Sequence, residues 1–115
     1  MTSKALVIGG SNGIGLAIAL ELAARDKEVV IIDKSTPDVE LSANVVYECH
    51  NLLDGDLSFL DNHHDAEGLV FTAGFGRVAP FETIVDAEIQ NQFQVNAISP
   101  IAVMRHFFPR MLQRY

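Results

Sequence analysis

The amino-acid sequence predicts an α/β fold in which a parallel sheet is covered by helices on both faces. Three observations carry this reading. Short apolar runs rich in β-branched residues recur at residues 5–8, 29–32 and 69–71 without polar alternation, the pattern of strands buried on both faces. Helix-like stretches lie between or after them. A glycine-rich turn, Gly9-Gly10-Ser11-Asn12-Gly13-Ile14-Gly15, joins the first run to the first helix.

The elements follow in order. Residues 5–8 read as the first strand. Residues 14–25, apolar except for Glu21 and Arg25, read as a helix lying close on the sheet. Strands are expected at 29–32, 45–49 and 69–73, a short helix at 56–62, and helices at 82–97 and 100–113. The connection from Asp33 to Val45 contains Ser35, Thr36, Pro37 and Asp38 and is near the lower limit for a parallel crossover, so its helix should shrink to a turn. The expected strand order is 3-2-1-4 in a Rossmann-like sheet that stops before a fifth strand. Strand 4 is then an open edge. Residues 1–115 are expected to form one domain, read as the N-terminal half of a longer one, and the glycine turn marks it as a candidate dinucleotide-binding domain.

The glycine turn has a physical logic. Gly9 and Gly13 turn the chain sharply and bring backbone N–H groups toward a diphosphate, Ile14 lies at the helix start, and Gly15 lets the helix approach the strand. The helix N-terminus adds partial positive charge, and Ser11 and Asn12 offer side-chain donors. The spacing is G-x-x-x-G-x-G, because Ile18 stands where G-x-G-x-x-G requires a small residue and no Gly-Lys-Ser/Thr is present. Asp33 ends the second apolar run, where a carboxylate holds a ribose 2′-hydroxyl and repels the 2′-phosphate of NADP, so NAD is favoured. Lys34 beside it works the other way; Asn12, uncharged, does not.

From these residues onward the chain resembles the short-chain dehydrogenase/reductase family, over residues 4–112. The family's T-G-x-x-x-G-x-G falls on residues 8–15, with Ile8 in place of threonine. Its acidic residue near the adenine corresponds to Asn51 or Asp54. Its N-N-A-G matches Phe71-Thr72-Ala73-Gly74, keeping Ala73 and Gly74 as cofactor contacts and losing both asparagines. The segment Phe93-Gln94-Val95-Asn96-Ala97, followed by Phe107-Phe108-Pro109-Arg110-Met111, is similar to the family's helix with a central asparagine. The resemblance implies that Asn96 is the tetrad asparagine, which holds a water in the proton relay; read without it, Asn96 and Pro100 mark a helix break. The family's Tyr-x-x-x-Lys is absent, since the tyrosines are Tyr47 and Tyr115 and the lysines are Lys4, Lys27 and Lys34. Hydride transfer to a carbonyl needs an acid within hydrogen-bond reach, so this chain alone should bind cofactor without turnover.

Composition bounds the partners. A formal charge of -7 argues against nucleic acid and anionic membranes, and 49% apolar content suffices for a core. No apolar run reaches membrane-spanning length, no signal-peptide core follows Met1, and a single cysteine, Cys49, suits a reducing cytoplasm. Cys49 reads as an inert buried thiol, and Asp61-Asn62-His63-His64-Asp65 as a solvated loop rather than a metal site. The apolar helix after Pro100 suggests a homo-oligomer. The function expected is the NAD(H)-binding portion of an oxidoreductase acting on an alcohol or carbonyl, with catalytic tyrosine and lysine outside this chain. The alternatives are a non-catalytic nucleotide-binding or redox-sensing module, or an assembly protein whose turn binds nothing.

Overall fold

The computed structural model describes residues 3–114. Four parallel strands, β1 (Lys4–Ile8), β2 (Glu28–Asp33), β3 (Val45–Cys49) and β4 (Gly68–Phe71), form one sheet in the order β3-β2-β1-β4. The expected topology is therefore present. β1 is central: Val7 pairs with Ile31 of β2 on one side and Val70 of β4 on the other.

Alternation along the strands distributes the core over two layers. Val7, Val29, Ile31 and Val45 face α1 (Gly13–Ala24), whose small Ala19 and Ala23 are buried against them. Leu6, Ile8, Val30 and Ile32 face the other way and pack on Phe59, Leu60, Val95, Val103 and Phe107. Both faces of β1 and β2 are thus covered, which is why these strands carry no polar alternation. At residues 29–32 the expectation is met residue for residue.

The second half departs from expectation. The helix read at 56–62 is a 3-10 turn, Ser58–His63, preceded by another at Leu52–Asp54. The helix read at 82–97 is divided into a 3-10 turn at Phe81–Thr83, α2 (Asp86–Phe93) and a π-helical segment, Gln94–Ile98, which runs directly into α3 (Ser99–Arg114). Pro100 does not break the helix. It has no N–H to donate to the Asn96 carbonyl four residues back, and the chain absorbs the missing bond as a wider turn and continues.

Two local expectations need correction. Cys49 is exposed, because β3 is an outer strand with a neighbour on one side alone, and its Sγ lies 3.6 Å from the Lys34 carbonyl. His63 is buried rather than solvated, with Nε2 2.8 Å from a Glu48 carboxylate oxygen. Among the described residues no helix is long and apolar enough to cross a membrane.

Candidate dinucleotide site

At the carboxyl ends of β1, β2 and β4, beside the point where the strand order reverses between β1 and β4, lies a cleft of about 190 Å³. This is where open α/β sheets hold ligands. Six of the residues singled out for cofactor contact line it: Gly9, Asn12, Asp33, Asn51, Ala73 and Gly74. The other four sit around the same turn. Ser11 is buried, Ile14 is exposed in the first turn of α1, Gly13 opens that helix, and Gly15 is buried beneath it.

The glycines differ in what they do. At Gly15 a Cβ would run into the Gly9 carbonyl and the Thr72 hydroxyl, so glycine is required for helix α1 to lie against the strand ends. At Gly9, with φ +87°, a Cβ would collide with the backbone of Thr72 and Ala73. Gly13 has φ +54° and nothing within 4 Å of a Cβ position, so its side of the turn is open. Asn12 is extended at the N-cap of α1, and its side chain makes no capping hydrogen bond there. The helix start therefore points N–H groups and partial positive charge to the open side.

Asp33 is held in place by this turn. Ser11 donates to its Oδ2 twice, from the backbone N at 3.2 Å and from Oγ at 2.5 Å, and the Lys34 amide donates to Oδ1 at 2.8 Å. The Ser11 hydroxyl, read from sequence as a diphosphate donor, is thus turned onto the carboxylate and fixes its orientation. A carboxylate has about four acceptor positions, so three bonds leave room for one more donor on Asp33.

Thr72 replaces the missing asparagine. Its hydroxyl lies 3.1 Å from both the Ile8 and Gly9 carbonyls, and its amide donates to the Ile8 carbonyl at 2.8 Å, so β4 remains tied to the turn. The sequence signal was available: a hydroxyl-bearing residue directly before Ala73-Gly74, at a strand end, can reach neighbouring carbonyls. His50, Leu52, Phe75 and Val95 also line the cleft and had no motif to mark them.

Asn51 accepts a hydrogen bond from the Leu53 amide at 3.0 Å, capping the turn at Leu52–Asp54 while lining the cleft. Asp54, the other candidate for the adenine side, borders a neighbouring depression instead. Asn96 lies in the π-helical segment and grips the backbone of Phe75: Oδ1 accepts from its amide at 2.9 Å and Nδ2 donates to its carbonyl at 2.7 Å. A Cβ on Gly74 would stand 3.0 Å from Asn96 Oδ1, so Gly74 makes this approach possible. Farther along the same loop Arg77 makes a two-pronged ion pair with Glu88 at 2.8 and 2.9 Å, and the carboxylate beside it raises the guanidinium pKa. The Tyr47 hydroxyl is used on the Asp33 carbonyl at 3.2 Å, and Tyr115 lies outside the described residues.

Comparison with known proteins agrees with this geometry. The family model for short chain dehydrogenases matches residues 3–115. An uncharacterized oxidoreductase of Bacillus subtilis, YvrD, is 26% identical over 121 residues, covering 95% of this chain and 46% of the relative. A short chain dehydrogenase from Leptospira borgpetersenii solved with bound NAD+ superposes with a TM-score of 0.83 at 21% identity, covering 95% of this chain and 46% of that one. A 3-oxoacyl-(acyl-carrier-protein) reductase from Agrobacterium tumefaciens with NADP bound superposes at 0.81, also at 21% identity, over 97% of this chain and 48% of that one. The chain spans about half the length of the relatives it matches.

Proposed function

The chain belongs to the short-chain dehydrogenase family, and on that premise we propose that residues 1–115 bind the nicotinamide dinucleotide of an oxidoreductase acting on an alcohol or carbonyl. The observation that carries this reading is the convergence of Gly9, Asp33, Ala73 and Gly74 on one cleft at the strand ends, with an uncapped helix N-terminus opening beside it. In this reading the amides of Gly13 and Ile14 receive the diphosphate. Asp33, oriented by Ser11, accepts a ribose hydroxyl and repels a 2′-phosphate, which selects NAD over NADP. Asn51 lies toward the adenine. Ala73, Gly74 and the Phe75 backbone, gripped by Asn96, border the nicotinamide side.

The bound dinucleotide supplies or accepts the hydride. The acid that serves the substrate oxygen comes from outside residues 1–115, because these contain no Tyr-x-x-x-Lys. Asn96 spends its side chain on Phe75, so its part in a proton relay falls to its backbone carbonyl, to which Pro100, having no N–H, cannot donate. The setting is cytoplasmic and the assembly homo-oligomeric, through the exposed Ile101, Met104, Phe108 and Leu112 of α3. A second reading that the same cleft allows is a nucleotide-binding module without catalysis.

Calorimetric titration tests the common part. The chain should bind NADH with a dissociation constant in the micromolar range and NADPH at least about tenfold more weakly, a difference of about 1.4 kcal/mol. Gly13→Val, checked for folding by circular dichroism, should abolish NADH binding, and Asp33→Ala should remove the preference for NADH. No binding of either nucleotide, or binding that Gly13→Val leaves intact, overturns the reading. Turnover of a small ketone by the 115 residues alone would contradict the assignment of the acid to another segment.

A further inference from the structure

We propose that Asp61, His64 and His106 form a binding site for a divalent transition-metal ion of the zinc class, on the far side of the sheet from α1. Asp61 lies in the 3-10 turn Ser58–His63, and His64 directly follows it; three residues apart at this pitch, their side chains share one side. His106 comes from α3, delivered by the packing of its neighbour Phe107 into the same core layer as Leu60. One ligand atom from each residue lies within 4.8 Å of the others.

Two of the three ligand-to-ligand distances are close to those of a tetrahedral metal site, and both are long for hydrogen bonds. Asp61 Oδ1 is 3.4 Å from His64 Nε2 and 3.6 Å from His106 Nε2. Bonds of 2.0–2.1 Å in a tetrahedron place ligand atoms about 3.3–3.4 Å apart. A hydrogen bond between an imidazole N–H and a carboxylate would be nearer 2.8 Å. His106 Nε2 is buried and has no hydrogen-bond partner, although it faces Asp61. The two imidazoles are tilted by 38° with centroids 5.8 Å apart, so they converge without stacking. Two imidazole nitrogens and one carboxylate select Zn²⁺, Co²⁺ or Ni²⁺ over Mg²⁺ and Ca²⁺, which take oxygen ligands. Three protein ligands leave one tetrahedral position to solvent.

Arg110 opposes the ion and supplies a control. Its Nη2 lies 3.4 Å from His64 Nδ1, and as a permanent donor it places the His64 proton on Nε2. A metal at Nε2 moves that proton to Nδ1 and turns the guanidinium away. Removing the guanidinium should therefore tighten binding.

Zinc chloride titrated calorimetrically into the chelator-treated full chain should bind one ion per chain with a micromolar dissociation constant, and magnesium chloride should not bind. Asp61→Asn and His64→Gln should each weaken zinc at least about tenfold, as loss of a ligand contact does, and Arg110→Gln should strengthen it several-fold. Co²⁺ should give the visible absorption of a tetrahedral complex with the wild-type chain and lose it in His106→Gln. Should His106→Gln fail to fold, Asp61→Asn decides, because Asp61 is exposed and outside the core. Absence of zinc binding up to about 1 mM, a few kcal/mol of affinity at most, overturns the proposal. So does tight zinc binding that Asp61→Asn and His64→Gln leave unchanged, which moves the ion to other side chains such as Glu48 and His50.

Discussion

The glycine turn with its flanking strands and the helical segment 86–114 are built on opposite terms. In the first, Leu6, Val7, Ile8, Ile31 and Ile32 are fully buried, and two glycines stand where a single Cβ would meet backbone. In the second, α2 buries no residue, and Ile101, Met104, Phe108 and Leu112 of α3 are each more than half exposed. One region is specified by close approach and tolerates little. The other holds to the sheet through Val95, Val103 and Phe107 and keeps a broad apolar face outward.

The largest effect should come from breaking the close approach. Gly15→Ala forces the new methyl against the Gly9 carbonyl and the Thr72 hydroxyl. It should destabilise the chain by about 3 kcal/mol, the upper end for overpacking, measured by urea unfolding. A loss below about 1 kcal/mol would mean that α1 can retreat from the strand ends without cost. Thr72→Val comes next: it deletes the hydroxyl shared by the Ile8 and Gly9 carbonyls and should cost about 1–2 kcal/mol.

Asn96→Ala links the two regions. It removes both bonds to Phe75 and should cost about 1–2 kcal/mol of stability. It should also loosen the loop after Gly74, read as increased amide hydrogen exchange at Phe75. Exchange at Phe75 unchanged by the substitution would show that the grip does not order the loop. The smallest effect belongs to the outward face. Ile101→Glu should change the stability of the isolated chain by no more than about 0.5 kcal/mol, while lowering the sedimenting mass of any assembly. A destabilisation as large as that of Thr72→Val would erase the contrast between the regions.

The same contrast explains what could be read from residues alone. Strands buried on both faces leave an unbroken apolar signature, so β1 and β2 were visible from residues 5–8 and 29–32, whereas the order β3-β2-β1-β4 was legible only through the Rossmann-like pattern of the glycine turn, and the apolar run at 69–71 is half-buried in β4. Gly9, Gly13, Gly15 and Asp33 were visible because backbone conformation and a strand-end carboxylate leave few substitutes. Interactions over long sequence separations were not. The turn of Ser11 onto Asp33, 22 residues away, and the grip of Asn96 on Phe75, 21 residues away, depend on the assembled sheet. Nor could spacing reveal His106 beside Asp61 and His64, since α3 reaches that turn through core packing. The wider turn at Gln94–Ile98 lies beside the missing N–H of Pro100, which a periodicity argument weighs too lightly, while the extended Ile84 and Val85 that part Phe81–Thr83 from α2 carried no glycine or proline to mark them.

Chemical-shift perturbation on the ¹⁵N-labelled chain tests the central claim, that the open side of the first turn receives a cofactor's diphosphate. On addition of NADH the largest amide shifts should fall on Gly13 and Ile14, followed by Asp33 and Gly74, and should saturate together with a single dissociation constant. Saturating shifts confined to α3 or the Asp61 turn, or none up to millimolar NADH, would contradict it.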